Sequence, residues 1–570
     1  MRRLVPALLI AVTALSLAHA PASATITPDA AKVVRRYLEA TGGAAAFAAE
    51  STSYTHAKLQ AFGFEGSFAS WSAQPSRRYS RTELGPFKLS EGVNGTTAWR
   101  TDPTTGVVRP LADHDLDQAL ASAWFEGERW AESGEGGGSV ALGGHESDSL
   151  GTYTVLEVKP PDLSGAGRTV YPRQLWFDDK TGLLAVMRSK DDQREVFTRL
   201  SDWRMVAGRK RAIVNESGVV SMPANRVKAV ADTLLANVSV QGLPFSPPQA
   251  ASSSPAPITW LSQAGTAKLP FDYRARHVWL KASVNGGPPE DFLFDTGASV
   301  TVIDSAYAAR TGLKGVGEMR AQGAGSGGAA SLATLDKLRI ATPDHDGVEL
   351  QNLKVAILNV NSVLAPFFWR DCAGVVGFDV IVQFVNQVDY DNHDLYLYDP
   401  KTFTYEGKGT AIPMTLAGHA PLVNIKVDDP LIGLSTTTEG ALASEDYAGN
   451  IGNELLERFR VTLDYERRKI YLEPAARYTK RPSFSLFGAQ LARLDGKIKS
   501  FQVLKGSPAE KAGLVEGDEV VSIDGTPASQ LDPDQLEQKF VDGVAGTKVK
   551  LVVVRDGKQK TLNATLKEIL

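Results

Sequence analysis

One short stretch, Asp291-Phe-Leu-Phe-Asp295-Thr296-Gly297-Ala298-Ser299, has residue types in an order that could activate water. An apolar run delivers Asp295 into a tight Asp-Thr-Gly turn. A carboxylate serves as a general base only where it is held rigidly and its charge state is set by its surroundings. Thr296 supplies a hydroxyl that can lock the turn, and Gly297 lets backbone approach where a Cβ would clash. A bare Asp-Thr-Gly is also what an ordinary Asx-turn produces, so the surroundings decide. Other chemistries are poorly framed. Ser326 lacks a Gly-x-Ser-x-Gly setting, and the eight histidines suggest no triad. Cys372, the single cysteine, reads as a small apolar side chain on a buried strand. Gly323, Gly325 and Gly328 match GxGxxG, but no βαβ unit surrounds them, so 322–328 reads as a hairpin tip over a cleft. No Cys/His cluster has metal-ligand spacing, so neither a metal nor another cofactor is expected.

The elements that must position Asp295 sit in a chain of 570 residues, which implies three or four domains. A composition of 43% hydrophobic and 22% charged residues is that of a globular protein, and a net charge of −4 gives no basic footprint for nucleic acid. Arg2 and Arg3 precede an apolar run from Leu4 to Leu17, and Ala22-Ser23-Ala24 suits cleavage, so residues 1–24 read as a secretory signal peptide. The mature protein is therefore expected in the periplasm or outside the cell. One cysteine allows no internal disulfide.

Residues 25–244 begin with a helical pattern, Asp29 to Thr41, stopped by Gly42-Gly43. Short alternating segments follow at Thr52–Phe64, Gly66–Trp71, Tyr79–Thr82, Gly95–Arg100, Thr152–Val158, Gln174–Phe177 and Leu183–Arg188. They predict a curved antiparallel sheet carrying a helix. Residues 245–260, rich in Pro, Ser and Ala, read as a linker. His277–Val284 and Asp291–Phe294 read as strands joined by a turn at Asn285-Gly286-Gly287, followed by a strand at Val300–Ile303 and a helix at Ala306–Thr311.

Several phrases in the first third, among them Val93-Asn-Gly-Thr-Thr-Ala-Trp99 and Trp176-Phe-Asp-Asp-Lys-Thr-Gly-Leu183, resemble the periplasmic lipoprotein carriers. That resemblance implies an unclosed half-barrel over a helical lid, and with it a lipid or apolar ligand. A core that fills itself with its own aromatics is the other reading. In the middle third, Ala373-Gly374-Val375-Val376-Gly377-Phe378-Asp379 follows the Asp-Thr-Gly turn by about eighty residues. The pair is similar to retropepsin-like aspartic peptidases, in which the apolar-apolar-Gly strand buttresses the catalytic turn. The resemblance covers 268–400 and implies Asp295, Thr296 and Gly297 as the catalytic turn, with a peptide or protein as substrate.

A repeat extends this unit. Ala373 to Tyr390 matches Ala448 to Tyr465 at a constant offset of 75, with Ala, Gly, Gly, Phe, Asp and Tyr identical. Residues 401–476 thus read as a second, shortened lobe. It lacks an Asp-Thr-Gly; the nearest match is Thr438-Glu439-Gly440-Ala441, within about 36 residues between Ile412 and Ala448. Aspartic peptidases need two carboxyls that share a proton. Three outcomes stay open: a homodimer that supplies Asp295 twice, an internal partner such as Glu439, or a decayed cleft that binds peptides or envelope proteins without cutting.

Residues 481–570 resemble a bacterial PDZ domain through Gly506-Ser-Pro-Ala-Glu-Lys-Ala-Gly-Leu514 and Gly517-Asp-Glu-Val-Val-Ser-Ile-Asp-Gly525. Ser507, Pro508 and Glu510 spell a capped helix start, and Asp532-Pro533 starts a second helix. By resemblance, a peptide C-terminus would add beside the strand after Phe487-Gly488. Backbone N–H groups around Leu486, Phe487, Gly488 and Ala489 would take its carboxylate, and Leu491 and Leu536 would line the apolar pocket. Docking onto the peptidase lobes without a free ligand is the alternative. The whole is expected to be mainly β and multidomain: a curved antiparallel sheet with a helix, a retropepsin-like two-lobed β-barrel with a degenerate second lobe, and a PDZ domain.

Overall fold

The computed structural model describes residues 25–103, 106–132, 137–167, 172–191, 194–248, 258–322, 327–344, 346–417, 419–424, 450–479 and 485–569. The expected leader, most of the expected linker, Gly323, Gly325, Ser326, Thr438, Glu439 and Ala448 lie outside them.

The first domain is, among the described residues, one fourteen-stranded sheet. Its strands run as antiparallel neighbours from Ser139–Asp148 to Met222–Ala236, then from Thr52–Ala61 to Val108–Pro110. Helix α1 (Pro28–Thr41) starts on a proline, ends at Gly42 with φ +124, and buries Ala30, Val34, Tyr37 and Thr41 on one face. The sequence predicts a single strand over Thr52–Phe64. The structure instead breaks it at Phe62-Gly63, both with positive φ, into a two-residue hairpin turn. A second long helix, α2 (Asp113–Glu126), was not foreseen. Asp113 and Asp115 lie in its first turn, where the helix dipole favours them, and it packs Trp124 and Phe125 into the core around α1. The rings of Tyr54, Trp71, Tyr79 and Trp99 follow in series at 4.8, 5.6 and 6.2 Å, the first pair tilted and the other two stacked. Phe245, at the start of the expected linker, is buried against Tyr79 and Trp99, so this face is filled by the chain itself.

The middle region is built from β1 (Thr266–Pro270), β2 (His277–Val284), β3 (Glu290–Phe294), β4 (Val302–Asp304), β5 (Val316–Gln322), β6 (Gly327–Ala341), β7 (Gly347–Leu358), α3 (Asn361–Phe368) and β8 (Gly374–Val376). After Ile258–Trp260, which joins the sheet through β7, the strand order is β7-β4-β8-β3-β2-β6-β5. Pairing of β6 with β7 closes the sheet on itself. Strands β9 (Val385–Asp389), β10 (Asp394–Tyr398), β11 (Thr410–Ala417), β12 (Phe459–Asp464) and β13 (Lys469–Pro474) form a further sheet with β1, in the order β1-β10-β9-β12-β13-β11.

The sequence repeat explains this second sheet. Where β9 meets β12, Gln387 faces Thr462, Asn386 faces Leu463 and Val388 faces Val461. Gln387 and Thr462 are repeat equivalents, and the flanking pairs exchange equivalents. The two copies are thus related by a pseudo-twofold through Gln387 and Thr462, whose side chains hydrogen-bond at 3.0 Å. Pro270 pairs with Asp394 and Pro413 with Lys469, so the equivalence reaches back to those prolines. From Pro270 to Ala373 is 103 residues, and from Pro413 to Ala448 only 35. One core serves both lobes, running from Leu269 and Val278 to Val461, Leu463 and Ile470. The edge of β9 is covered by the chain's own β12.

Both flanking domains touch the first lobe. Glu318 N–H, on β5, donates to Phe62 O at 2.9 Å. Gly317 has φ +71, and a Cβ there would strike the Phe64 ring and Phe62 O. The C-terminal domain is a six-stranded sheet whose edge strand is β14 (Ala489–Leu494), with helix α4 (Pro533–Phe540) capped by Asp532. Ser507 caps its first helix through Glu510 N–H, and the Glu510 side chain accepts from Gly506 N–H, one residue before the cap.

Candidate active site

Strand β3 carries Asp295 and is held on both sides. It runs antiparallel to β2 and parallel to β8, with Phe292 opposite Gly374 and Phe294 opposite Val376. Asp295 N–H extends the second ladder to Val376 O at 3.1 Å. Gly297 N–H donates to Asp295 Oδ1 at 2.8 Å, and Ala298 N–H to Asp295 O at 3.3 Å. The carboxylate is half-buried and its turn is fixed by its own backbone.

The two glycines of Ala373-Gly-Val-Val-Gly are there for close approach. A Cβ on Gly374 would strike the Phe292 ring and Val302 O, and one on Gly377 would lie 2.6 Å from the carbonyl carbon and oxygen of Val300. Phe378 N–H donates to Ala298 O at 2.7 Å, so the buttress clasps the residue after the turn.

Locking of the turn falls to Thr301 rather than Thr296, whose hydroxyl has no hydrogen bond among the described residues. Thr301 is fully buried. Its N–H and Oγ1–H both donate to Asp379 Oδ1 at 2.8 Å, and Oγ1 accepts from Gly377 N–H at 3.1 Å. Burial pushes the Asp379 carboxyl up to about 7, against the pull of Thr301. Asp379 Oδ2 is buried and without a partner among the described residues, as suits a protonated acid. The sequence placed Asp379 within the buttress phrase but gave it no role. Its contact with Thr301 spans 78 positions, which no local pattern displays.

Helix α3 was also missed, and it sits beside the turn. Leu364 and Phe368 pack on Trp279, Leu293 and Val375, in a cluster that Ala298 also touches. Asn361 N–H donates to Asp304 Oδ2, and Asn361 Oδ1 accepts from Cys372 N–H. Cys372 is fully buried, as the small-apolar reading has it, although it precedes β8 instead of lying on a strand. Beyond α3, Arg370 ion-pairs with Asp291 on the strand that leads to Asp295 and with Asp272 at 2.9 Å. Burial acts to raise the Asp291 carboxyl, but Lys281 and Arg370 outweigh it and hold it below its ordinary value.

In the C-terminal domain, Leu536 is buried and Leu491 half-buried between β14 and α4, at the expected pocket. Leu486 and Phe487 are core residues, with Phe487 stacked on Phe540 at 4.5 Å. Three of the four backbone N–H groups expected to meet a carboxylate are engaged within the domain. That of Leu486 donates to Phe540 O, and those of Phe487 and Gly488 donate to Ser485 Oγ.

The glycine-buttressed Asp-Thr-Gly turn and the C-terminal β-domain are the two stretches at which the chain is similar to known families. The family described as aspartyl protease matches residues 280–378, and that described as PDZ domain matches 485–566. Over 95 residues the chain is 35% identical to the carboxy-terminal processing protease CtpA of Bacillus subtilis, covering 17% of this chain. It spans about a fifth of that relative's length, 19%. Among solved structures, a retropepsin-like aspartic protease from Rickettsia conorii matches with 21% identity and a TM-score of 0.18, covering 25% of this chain and 96% of that one. A LolA superfamily protein from Nitrosomonas europaea matches with 14% identity and a TM-score of 0.27, covering 38% and 96%.

Proposed function

We propose that the chain is an exported aspartic endopeptidase in which Asp295 activates the attacking water. The observation that carries this reading is the investment around one half-exposed carboxylate. Two glycines with no room for a Cβ, a buried Thr301 and a buried Asp379 all serve to fix a turn whose side chain faces outward. A fold that kept the cleft only for binding would have no physical need of that rigidity. In the reaction, one ionised carboxylate takes a proton from water as it attacks the peptide carbonyl, and a protonated partner donates to the carbonyl oxygen. Glu439 in the shortened lobe is the residue proposed for that partner, and Asp295 of a second copy is the alternative that the molar mass distinguishes.

The test is hydrolysis of an unfolded protein substrate between about pH 3 and 8, where carboxyl pairs titrate. Wild type, Asp295→Asn and Glu439→Gln are compared, with molar mass measured by light scattering. A cleaving monomer silenced by either substitution supports the proposal. Activity that survives Asp295→Asn overturns it. A folded wild type that binds the substrate but never cuts it leaves the peptide-binding module as the function.

A further inference from the structure

The PDZ groove faces the peptidase lobe and is held shut on both banks. On the α4 side, the turn between Asp272 and His277 supplies three contacts: Arg276 Nε to Glu537 Oε1 at 2.8 Å, Arg274 Nε to Asp534 Oδ2 at 3.5 Å, and Ala275 N–H to Asp534 Oδ1 at 3.3 Å. On the β14 side, α3 lies against the strand. The Arg493 guanidinium stacks 5.3 Å over the Trp369 ring, and Phe367 meets Phe501 edge-on at 5.0 Å. The two anchors are joined to each other, since Phe368 packs on His277 at 4.7 Å and on Trp279 at 5.1 Å. Trp369 itself packs on the PDZ core, as do Ala489 and Leu491. It belongs to the other domain, yet it packs on the core cluster that includes Leu536, against the strand that carries Leu491.

We propose that Trp369 is an internal stand-in ligand for the PDZ groove, and that an extended peptide with a free C-terminal carboxylate and an apolar last residue binds only by displacing it. Two features mark the contact as exchangeable. The indole Nε1–H of Trp369 is buried without a partner among the described residues, so the seat is imperfect. The N–H groups of Phe487 and Gly488 are held by one serine hydroxyl, Ser485 Oγ, at 3.3 and 3.0 Å, and a hydroxyl rotates away when a carboxylate offers a stronger, charge-assisted bond. Displacement is transmitted inward. Arg370, next in sequence, grips Asp291 on the strand that ends in Asp295, and α3 packs on Val375 of the buttress. A ligand in the groove thus pulls on both supports of the catalytic turn.

The test reads binding, not hydrolysis, and is made in the full chain carrying Asp295→Asn so that no probe is cut. Failure of the peptidase reading and failure of this one are then distinguishable. A short fluorescein-labelled peptide ending in valine, and its C-terminally amidated twin, are titrated by anisotropy. If the closed form predominates about ten to one, removing the plug by Trp369→Ala raises affinity for the free acid by about tenfold, because apparent affinity scales with the open fraction. The amidated peptide gains nothing. Equal affinity with and without Trp369, or no binding by either, overturns the proposal. Should Trp369→Ala not fold, Arg276→Gln with Arg493→Gln loosens the same contact from the surface. A folded double variant without tighter binding is equally decisive.

Discussion

Replacing Asp379 by asparagine tests whether the support of the Asp295 turn depends on an uncharged acid. The folded chain holds this carboxyl protonated up to about 7, whereas an unfolded chain releases the proton near 3.8. Between those values the folded state binds the extra proton, so stability is fully present below the lower value and falls as pH rises toward the upper one. The slope is about 1.4 kcal/mol per pH unit, or about 4 kcal/mol over the window as a ceiling. For a two-lobed unit of about 200 residues this is about 3–5 °C of melting midpoint per pH unit. The substituted amide keeps an oxygen to accept from Thr301 and does not titrate. Scanning calorimetry at steps from about pH 4 to 7 is therefore expected to show Asp379→Asn gaining on wild type at that rate, for the transition carried by the two lobes. A gap between the two that stays constant with pH would refute the reasoning, whatever its size.

Two further outcomes follow from the same region. Gly377→Ala drives a methyl into the Val300 carbonyl, and because backbone cannot yield as a side chain does, it is expected to cost about 3 kcal/mol, the upper end of ordinary overpacking. Calorimetry reads that loss, and hydrolysis should disappear with it. Burial pushes the Cys372 thiol up to about 11, so iodoacetamide is expected to leave the native chain unmodified at neutral pH and to label it fully in denaturant, as intact mass would report. Labelling of the native chain would mean that α3 and β8 open readily.

Much of the site was legible because its determinants are local or repeated. Asp295-Thr296-Gly297 and the glycines at 374 and 377 each answer a backbone requirement, and such requirements leave a fixed residue type in the sequence. The repeat was legible for another reason: strands that pair across a twofold need matching side chains at matching positions, so Gln387 and Thr462 fall at the common offset. Helix α3 was hidden because Pro366 and a run of aromatics disguise it, and its length is set by what it packs against. Thr301 and Trp369 were illegible as functional residues, since each acts through a partner far along the chain. The break at Phe62-Gly63 was missed because a phenylalanine rarely adopts the left-handed conformation found there.

That turn has a mechanical consequence. Glu318 N–H on β5 is tied to Phe62 O at the tip of a hairpin in the amino-terminal sheet, and beside it Gly317 leaves the Phe64 ring no room for a Cβ. The two hairpins are thereby seated on one another, and close-packed contacts of this kind transmit strain rather than absorb it. A side chain added at Gly317 would therefore be felt in two domains at once, as a defect in a joint rather than in either part.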